Sequence, residues 1–582
     1  MTVTPPSAPP DPAPHVTRTL QHFEPLWPAE MIVLRAAADG AIAKVGLRRP
    51  RGPEPDTRLR AEFLSFLARG GGVGARVGGR QLQVVGACIE GRMALAGASV
   101  PMSVWLYRCR FSMAPQLDGA RIAGSLSFAD CSLPGLNAET CRIDGDLALN
   151  AGCNIDGEVI LTRATLGRNL NCDRMRLGGS EQAGRRVPGR LVADSARIAG
   201  SVLLSGGFEA VGEVQFMATQ IGGDFRAGNA HLTADLDASG ARGVALNLDR
   251  LRVGGSVFLG GGFSAAGQVS LQQARIEGDL DCSGAAFDAV GDASWGDHSA
   301  ALLLDRARIG GSLNLQHLQD PLQGASLADA RVGALIDDAS TWGRHHVLDG
   351  FEYKRFAGGA TTDALARLDW LGRQTATHLR EDFRPDPWRR LISVLRRTGH
   401  GTSARDVAIG RELHLRRAGM IGLDAPPSLR WLASLAHDLF GLVAGYGHRP
   451  LRLLVAAGAA WLLCGGLYWA AAEHGALAPS AALALAEPRL AQCLPDCSQL
   501  PSTMPRFQPL VYSLDVLVPL IDLQQERHWA PVRDAWASDA DSWGAPVLIL
   551  TWLEASFGWI ISLTLLATLT GLTDRDRRNC TS

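Results

Sequence analysis

Three acidic residues lie inside otherwise apolar segments, and their carboxylates are the groups in this sequence best suited to handling ions. Residues 507–523 read FQPLVYSLDVLVPLIDL and contain Asp515 and Asp522, which would share one face if the segment were helical. Glu554 interrupts a second apolar run at 546–572. An acid within a membrane span is a functional candidate by default, and rings of acids favour cations. Asp515, Asp522 and Glu554 are therefore candidate pore or membrane-functional residues.

Each acid also has a structural interpretation. Segment 507–523 is too short to cross a bilayer and suits a re-entrant or interfacial segment. No Thr-Val-Gly-Tyr-Gly-like filter occurs here, so we favour a helix lying on the outer membrane surface over a pore helix. Glu554 lies near the predicted outer interface, where its side chain could instead reach toward the headgroups.

Two cysteines in the sequence CLPDC, Cys493 and Cys497, form the other candidate site. Their segment is predicted to lie across the membrane from the cytosol, where a disulfide between them would persist. A redox pair is the competing interpretation, but the CxxxC spacing differs from that of thioredoxin-type sites. We favour a structural disulfide.

Motifs for catalysis or cofactor binding are missing from the sequence. A dinucleotide fingerprint requires G-x-G-x-x-G between a strand and a helix. The nearest candidate, at 70–78, follows a helix pattern and has mismatched glycines. There is no nucleophile elbow, HExxH or Walker sequence. His345 and His346 lack ligand partners at suitable spacing and are expected to be a surface pair. We predict no catalytic, cofactor-binding or metal residue.

Two apolar runs, 453–472 and 546–572, have the length needed to cross a hydrocarbon core of about 30 Å. By the positive-inside tendency, arginines outside these runs place both termini in the cytoplasm and the loop 473–545 outside. Lysine occurs only twice against 55 arginines (57 minus 2), a bias typical of a GC-rich bacterial genome. Together with the two apolar runs, this bias makes the bacterial inner membrane the expected location. The arginines are Arg449, Arg452, Arg575, Arg577 and Arg578.

A seven-residue phrase recurs through residues 85–345 and predicts the largest domain. It reads Ala-Arg-Ile-Ala-Gly-Ser-Leu at 120–126 and returns with variations at spacings near 11 residues or its multiples. Its alternation predicts strands with Ile122 and Leu126 inward and Arg121 outward. Short fixed repeats that stack on one another predict a parallel β-solenoid. Eleven to twelve coils of two periods each would extend roughly 55 Å, although a triangular coil is also compatible.

The complete prediction is a mostly β chain: a cytosolic parallel β-solenoid, then a helical connector and a two-helix transmembrane module. A net charge of −1 gives no reason to expect nucleic acid as a partner, and the proline-rich start lacks the pattern of a secretory signal. The predicted segments are a disordered tail (1–18), a cap region (19–84), the solenoid (85–345), a helical connector (346–425), an interfacial amphipathic helix (426–450) and the membrane module (451–582).

The order of these motifs resembles bacterial β-helix membrane proteins commonly labelled "membrane-associated oxidoreductase". The resemblance covers most of the chain beyond residue 55, and the label implies redox chemistry without identifying catalytic residues. The matching segments are LRAEFLSFLARGG (59–71), GACIEGRMALAGA (86–98), the Ala-x-Ile-x-Gly-x-Leu repeats, DGFEYKRF (349–356), PDPWRRLISVLRRTGH (385–400), YGHRP (446–450) and YSLDVLVPLIDL (512–523).

Three functions are compatible with the sequence. The first is a membrane-anchored scaffold whose solenoid face recruits a protein partner or a second copy of the chain. The second is an oligomeric channel-like or transport subunit with a solenoid cytosolic domain. The third is an oxidoreductase, as the resemblance implies. The lipid bilayer is an expected partner in each case.

Overall fold

The computed structural model describes two compact units, Met1–Ala404 and Arg405–Ser582, called here the sheet unit and the helical unit. Helix accounts for 30% of the described residues and strand for ~26%, so the mostly β prediction applies to the sheet unit and not to the described residues as a whole. The described residues are 19–72, 74–179, 181–182, 185–235, 242–288, 300–380, 382–423, 426–480, 505–531 and 543–569.

Three large sheets, all with parallel pairing, make up most of the sheet unit. The first sheet contains Ile42–Lys44, Gln81–Val85, Ser99–Val100, Ser103–Tyr107, Arg121–Ile122, Leu126–Ala129, Arg142–Ile143, Leu147–Ala148, Thr165–Leu166, Leu170–Asn171, Arg197–Ile198, Val202–Leu203, Gln220–Ile221, Phe225–Arg226, Arg252–Val253, Val257–Phe258, Arg275–Ile276, Leu280–Asp281, Arg308–Asn314, Arg331–Ile336 and Glu352–Phe356. The second contains Arg58–Arg60, Cys88–Glu90, Arg110–Phe111, Ser132–Leu133, Asn154–Ile155, Arg176–Leu177, Glu209–Val211, His231–Thr233, Ser264–Ala266 and Ala286–Asp288. The third contains Leu136–Asn137, Glu158–Ile160, Arg190–Val192, Val214–Gln215, Val244–Asn247, Gln268–Ser270, Leu302–Leu303, Ala325–Ser326 and His346–Val347.

The chain returns to the same register after each repeat. Ile122 pairs with Ile143, and Ile143 pairs with Leu166, so successive levels are 21 and 23 residues apart (143 − 122 and 166 − 143). A complete level holds four short strands, two in the first sheet and one in each of the others. The sequence analysis considered a coil of two repeat periods and, as the alternative, a triangular coil. Each observed level contains two repeat periods, and each period contributes two strands.

Alternate residues face inward, as the repeat phrase predicted. Ile122 and Leu126 are buried and Arg121 is exposed. Cysteines at the inward alanine position are also buried, and burial raises the pKa of the Cys141 and Cys153 thiols to about 12. These thiols therefore act as small core side chains.

Glycine in the repeat phrase permits close approach between levels. A Cβ on Gly124 would lie 2.8 Å from the Ser103 backbone nitrogen, closer than side-chain atoms pack. Positive φ angles occur at other positions, at glycines such as Gly119 and at a series of non-glycine residues, most of which precede an inward side chain. Thr140 has φ 54° immediately before Cys141, and Arg163 has φ 58° immediately before Ala164. These left-handed turns were not expected from the sequence, because their residue types vary.

Helices occupy both ends of the sheet unit. The helices α1 (Pro28–Asp39) and α2 (Ala61–Ala68) precede most strands, while α3 (Ala364–Gly372), α4 (Ala376–Leu379) and α5 (Asp386–Arg397) follow them. The strands extend from residue 42 to residue 356, so they enter both the segment predicted as a cap and the segment predicted as a connector. Two short 3-10 helices are Leu20–Phe23, in the sheet unit, and Pro427–Leu429, in the helical unit. A small separate sheet pairs Glu181–Gln182 antiparallel with Arg185–Arg186.

A buried ion pair joins α3 to the sheets. The Arg367 guanidinium donates to both Asp337 carboxylate oxygens at 2.6 and 2.8 Å, and each side chain is 2% exposed. The Trp342 indole N–H donates to the same carboxylate at 2.7 Å. Because these groups satisfy one another, the pair can remain charged in the core, and removal of either partner would leave a buried charge.

The helical unit contains two long apolar helices. Its elements are α6 (Gly401–Arg417, which begins in the sheet unit), α7 (Arg430–Ala444), α8 (Pro450–Glu473), α9 (Pro509–Leu517), α10 (Gln525–His528) and α11 (Gly544–Leu569), with Leu477–Pro479 paired antiparallel to Trp529–Pro531. Within the described chain, α8 and α11 are long and apolar enough to cross a membrane. The predicted span 453–472 lies within α8, and α11 covers 546–569 of the second predicted span.

Candidate functional site

The short helix α9 packs against both long apolar helices, α8 and α11. Pro509 occupies its first turn, where no intrahelical N–H is needed, and Pro519 follows shortly after its end at Leu517. Tyr512 and Ser513 are buried in this contact. The Trp461 indole of α8 donates to the Leu510 carbonyl at 2.8 Å. The segment expected to lie on the membrane surface is thus a packed element.

Two glycines allow this close packing. A Cβ on Gly558 of α11 would lie 1.9 Å from the Leu517 carbonyl oxygen, and a Cβ on Gly465 of α8 would lie 2.6 Å from a methyl group of Leu510. Small residues at helix contacts are typical of membrane helix bundles, because they let backbones approach. The absence of side chains at Gly465 and Gly558 therefore allows α9 to pack closely between the two long helices.

Glu554 is at the centre of the three-helix contact and is only 3% exposed. The Tyr468 hydroxyl of α8 donates to one carboxylate oxygen at 2.8 Å, and the Ser513 hydroxyl of α9 donates to the other at 2.5 Å. The Cys464 thiol, one turn before Tyr468, lies beside this carboxylate. Glu554 is therefore held by side chains from the neighbouring helices and does not reach toward a helix end.

Asp515 and Asp522 do not share a helical face, because α9 ends at Leu517. Asp515 is buried and accepts the backbone N–H groups of Leu523 at 2.6 Å and Glu526 at 2.9 Å. Asp522 is exposed and pairs with Arg527 at 2.9 Å. The first carboxylate fixes the turn after α9, and the second forms a surface ion pair.

The remaining predicted site residues, Cys493 and Cys497, lie outside the described residues. Within the described ranges, no group of three or more His, Cys, Asp or Glu side chains could hold a metal ion. The cluster around Glu554 has hydrogen-bond donors on both carboxylate oxygens, from two neighbouring helices, and this geometry suits cohesion between the helices.

His346 differs from its predicted place on the surface. Its side chain is fully buried, and its ring centre lies 5.0 Å from that of Trp342. Burial lowers its pKa from 6.5 to about 4, so it is neutral at physiological pH. The third-sheet strand His346–Val347 draws this residue into the core, which explains why the surface prediction was wrong for His346.

No protein-family model, curated protein or solved structure matches the chain. The sequence analysis missed Tyr468, Ser513 and Cys464, although the sequence contained patterns that pointed to them. Cys464 and Tyr468 are four residues apart and so lie on one helix face, and a glycine lies close to each contact between the helices.

Proposed function

We propose that this protein is a membrane-anchored β-solenoid scaffold of the bacterial inner membrane. In this proposal α8 and α11 cross the bilayer, and the sheet unit lies in the cytosol, where its outer faces bind a protein partner or a second copy of the chain. The observation that carries the proposal is the outward apolar surface of the two long helices.

The apolar side chains of α8 and α11 are mostly uncovered by protein. Only 22% of the most apolar window of α8 and 28% of that of α11 are buried. The core helix of a soluble protein would be largely covered, so hydrocarbon is the covering that fits these surfaces. Exposed side chains on the two helices include Leu454, Val455, Leu463, Trp469, Trp552, Leu553, Trp559, Ile560 and Leu563.

Helix α7 supports the same placement. Trp431, Leu435, Leu439 and Leu442 on this helix are each 49% exposed or more. An amphipathic helix that leaves its apolar side chains uncovered in water suits the boundary between headgroups and acyl chains. It ends just before Arg449 and the start of α8, so we place it at the cytoplasmic interface.

The repeating register supports the scaffold role. Thirteen strands follow one another in the longer column of the first sheet, so twelve intervals of about 4.8 Å give a face of about 58 Å. A long regular face can present the same contacts at several levels, as repeat proteins do when they bind other proteins. Burial of the repeat cysteines and the inward aliphatic residues leaves the polar positions for such contacts.

A topology experiment tests the membrane placement. Glu473→Cys lies at the exposed end of α8, and Arg142→Cys lies on the exposed face of the first sheet. In intact cells, with Cys493 and Cys497 replaced by serine, an impermeant maleimide should label Glu473→Cys. It should label Arg142→Cys only after lysis. Labelling of Arg142→Cys in intact cells would reverse the proposed topology.

Photo-crosslinking tests the scaffold role. A photoreactive amino acid at Ser127, an outward position of the first sheet, should give discrete adducts in living cells, either with one partner or between two copies. The same group at Glu473 provides the control on the opposite side of the membrane. Absence of adducts at Ser127 and at several other outward positions would contradict the scaffold proposal.

A channel-like subunit is the second candidate, because α9 lies between two apolar helices as a pore helix would. The acids weaken this candidate: Asp515 and Glu554 are fully engaged within one chain, and Asp522 pairs with Arg527. Recording in planar bilayers decides between the two. Cation currents abolished by Asp515→Asn or Glu554→Gln would favour the channel, and silent bilayers with a verified oligomer would favour the scaffold.

The oxidoreductase function rests on the resemblance alone and is the third candidate. If it holds, gently purified protein should carry a flavin, haem or nicotinamide in stoichiometric amount. An absorbance spectrum of the purified protein tests this directly, and a cofactor band would replace the scaffold proposal with a redox one.

A further inference from the structure

A column of arginines runs along the outer face of the first sheet. Arg252, Arg275, Arg308 and Arg331, called here the arginine ladder, pair in register on four consecutive levels. All four side chains are exposed. Parallel strands in register place neighbouring members about 4.8 Å apart at the backbone. Like charges opposite each other on adjacent strands destabilise a sheet, so the ladder carries repulsion that some other contact must offset.

The nearby acids are too few to neutralise the ladder. Among the ion pairs of the described residues, Arg331 is the ladder member with an acidic partner, Glu352 at 3.6 Å. Glu352 is shared with Arg390 of α5, which approaches it to 3.0 Å. Most of the positive charge of the ladder is therefore not neutralised by carboxylates of the described residues.

Three members of the ladder, Arg275, Arg308 and Arg331, line a cavity of about 640 Å³ between the first sheet and α5. Arg390 and Arg397 project from α5 two turns apart and supply a second cationic wall. Six cationic and two acidic side chains line the cavity, a net charge of +4 (6 − 2) in a chain whose overall charge is −1. The lining charges are Arg275, Arg308, Arg331, Lys354, Arg390 and Arg397 against Glu277 and Glu352.

We propose that this cavity binds a ligand carrying two or more phosphate groups. The planar guanidinium fork matches phosphate oxygens in a bidentate manner, and the strand and helix walls can each hold a separate phosphate. One carboxylate would leave most of the +4 charge uncompensated. The chemistry is common to a soluble oligophosphate and to a lipid headgroup with two phosphates. The cavity lies entirely within the sheet unit, so its occupancy is independent of the scaffold role.

Tripolyphosphate binding to the full-length protein tests the site. The protein is placed in nanodiscs of phosphatidylcholine, and tripolyphosphate is titrated calorimetrically. Saturable binding is expected, and no binding would overturn the proposal. The titration is then repeated with cardiolipin in the nanodiscs. A tenfold weaker apparent affinity would identify the lipid headgroup as the natural source of phosphate, and an unchanged affinity would identify a soluble ligand.

Arg308→Gln and Arg121→Gln form a matched pair of variants. Both arginines are exposed in the same column of the first sheet, but Arg121 lies outside the cavity. Arg308→Gln should weaken tripolyphosphate binding at least tenfold and make it less salt-dependent, while Arg121→Gln should change it less than twofold. Without ligand, Arg308→Gln should keep or raise the unfolding midpoint, because a repulsive charge is removed. Equal weakening in both variants, or a midpoint lowered by Arg308→Gln alone, would overturn the assignment.

Discussion

Replacement of Gly558 by alanine should destabilise the helical unit, because the added methyl group would collide with backbone. The new Cβ would lie 1.9 Å from the Leu517 carbonyl oxygen and 3.2 Å from the Leu517 Cα. Neither atom can rotate away as a side chain could, so α9 and α11 would have to separate by more than about 1 Å to restore normal contact. Overpacking of this kind costs about 1–3 kcal/mol. The better helix propensity of alanine offsets ~1 kcal/mol of this cost, so we expect a net loss of up to about 2 kcal/mol.

Gly466→Ala is the matched control, since Gly466 is exposed on α8 and a Cβ there meets nothing within 4 Å. It should be neutral or stabilise the protein by up to ~1 kcal/mol. Equilibrium unfolding in detergent micelles measures both values, and hydrogen exchange at residues 509–517 locates the effect. Gly558→Ala should accelerate exchange in α9, and Gly466→Ala should not. If Gly558→Ala is as stable as Gly466→Ala, α9 does not pack against α11 as described.

Three further changes test the sheet unit by unfolding of the full-length protein. Ile198→Asp should cost roughly 3–5 kcal/mol because it buries an unpaired charge, whereas the outward Arg197→Ala should stay within about 0.5 kcal/mol; equal effects would contradict the inward–outward assignment. Asp337→Asn should cost roughly 3–5 kcal/mol because it leaves a buried guanidinium unpaired, and Asp369→Asn, in a pair whose carboxylate is 63% exposed, should cost under about 1 kcal/mol. The pKa of His346 is about 4 in the folded protein, below its ordinary value of 6.5, so as pH falls the unfolded chain binds the proton before the folded protein does. About 3 kcal/mol of folding stability should therefore be lost as pH falls from 6.5 to 4. His346→Phe should remove that loss, and an unchanged pH profile in this variant would assign it to another group.

The repeat phrase was sufficient to predict which residues of each strand face the core. Ile122 and Leu126 lie on one parity and are buried, because alternation in a strand directly reflects its two faces. The long helices were equally readable, since α8 and α11 correspond to apolar runs whose length is set by the chain itself. These features depend on local patterns, and local patterns are what a single sequence displays.

Contacts between distant segments could not be read in the same way. Tyr468 and Glu554 are 86 residues apart, and no local sequence pattern around either residue predicts that the two side chains are in contact. His346 was misplaced because the two-residue strand that buries it has no alternation of its own. The sequence did not predict the left-handed turns at residues such as Thr140 and Arg163. Their φ values follow from the stacking of the backbone on neighbouring levels and not from residue type.

Glu554 and the arginine ladder differ in how the electrostatic cost of each is offset. Glu554 accepts hydrogen bonds from Tyr468 and Ser513 within its own helical unit, so its burial requires no external partner. The arginine ladder has one acidic neighbour among the described ion pairs and faces outward over four levels. Uncompensated charge on a surface favours binding to an oppositely charged molecule, whereas a satisfied buried acid favours cohesion. This difference favours our proposal, in which the long helices anchor the protein and the sheet faces bind its ligands, over the proposal of a channel-like subunit.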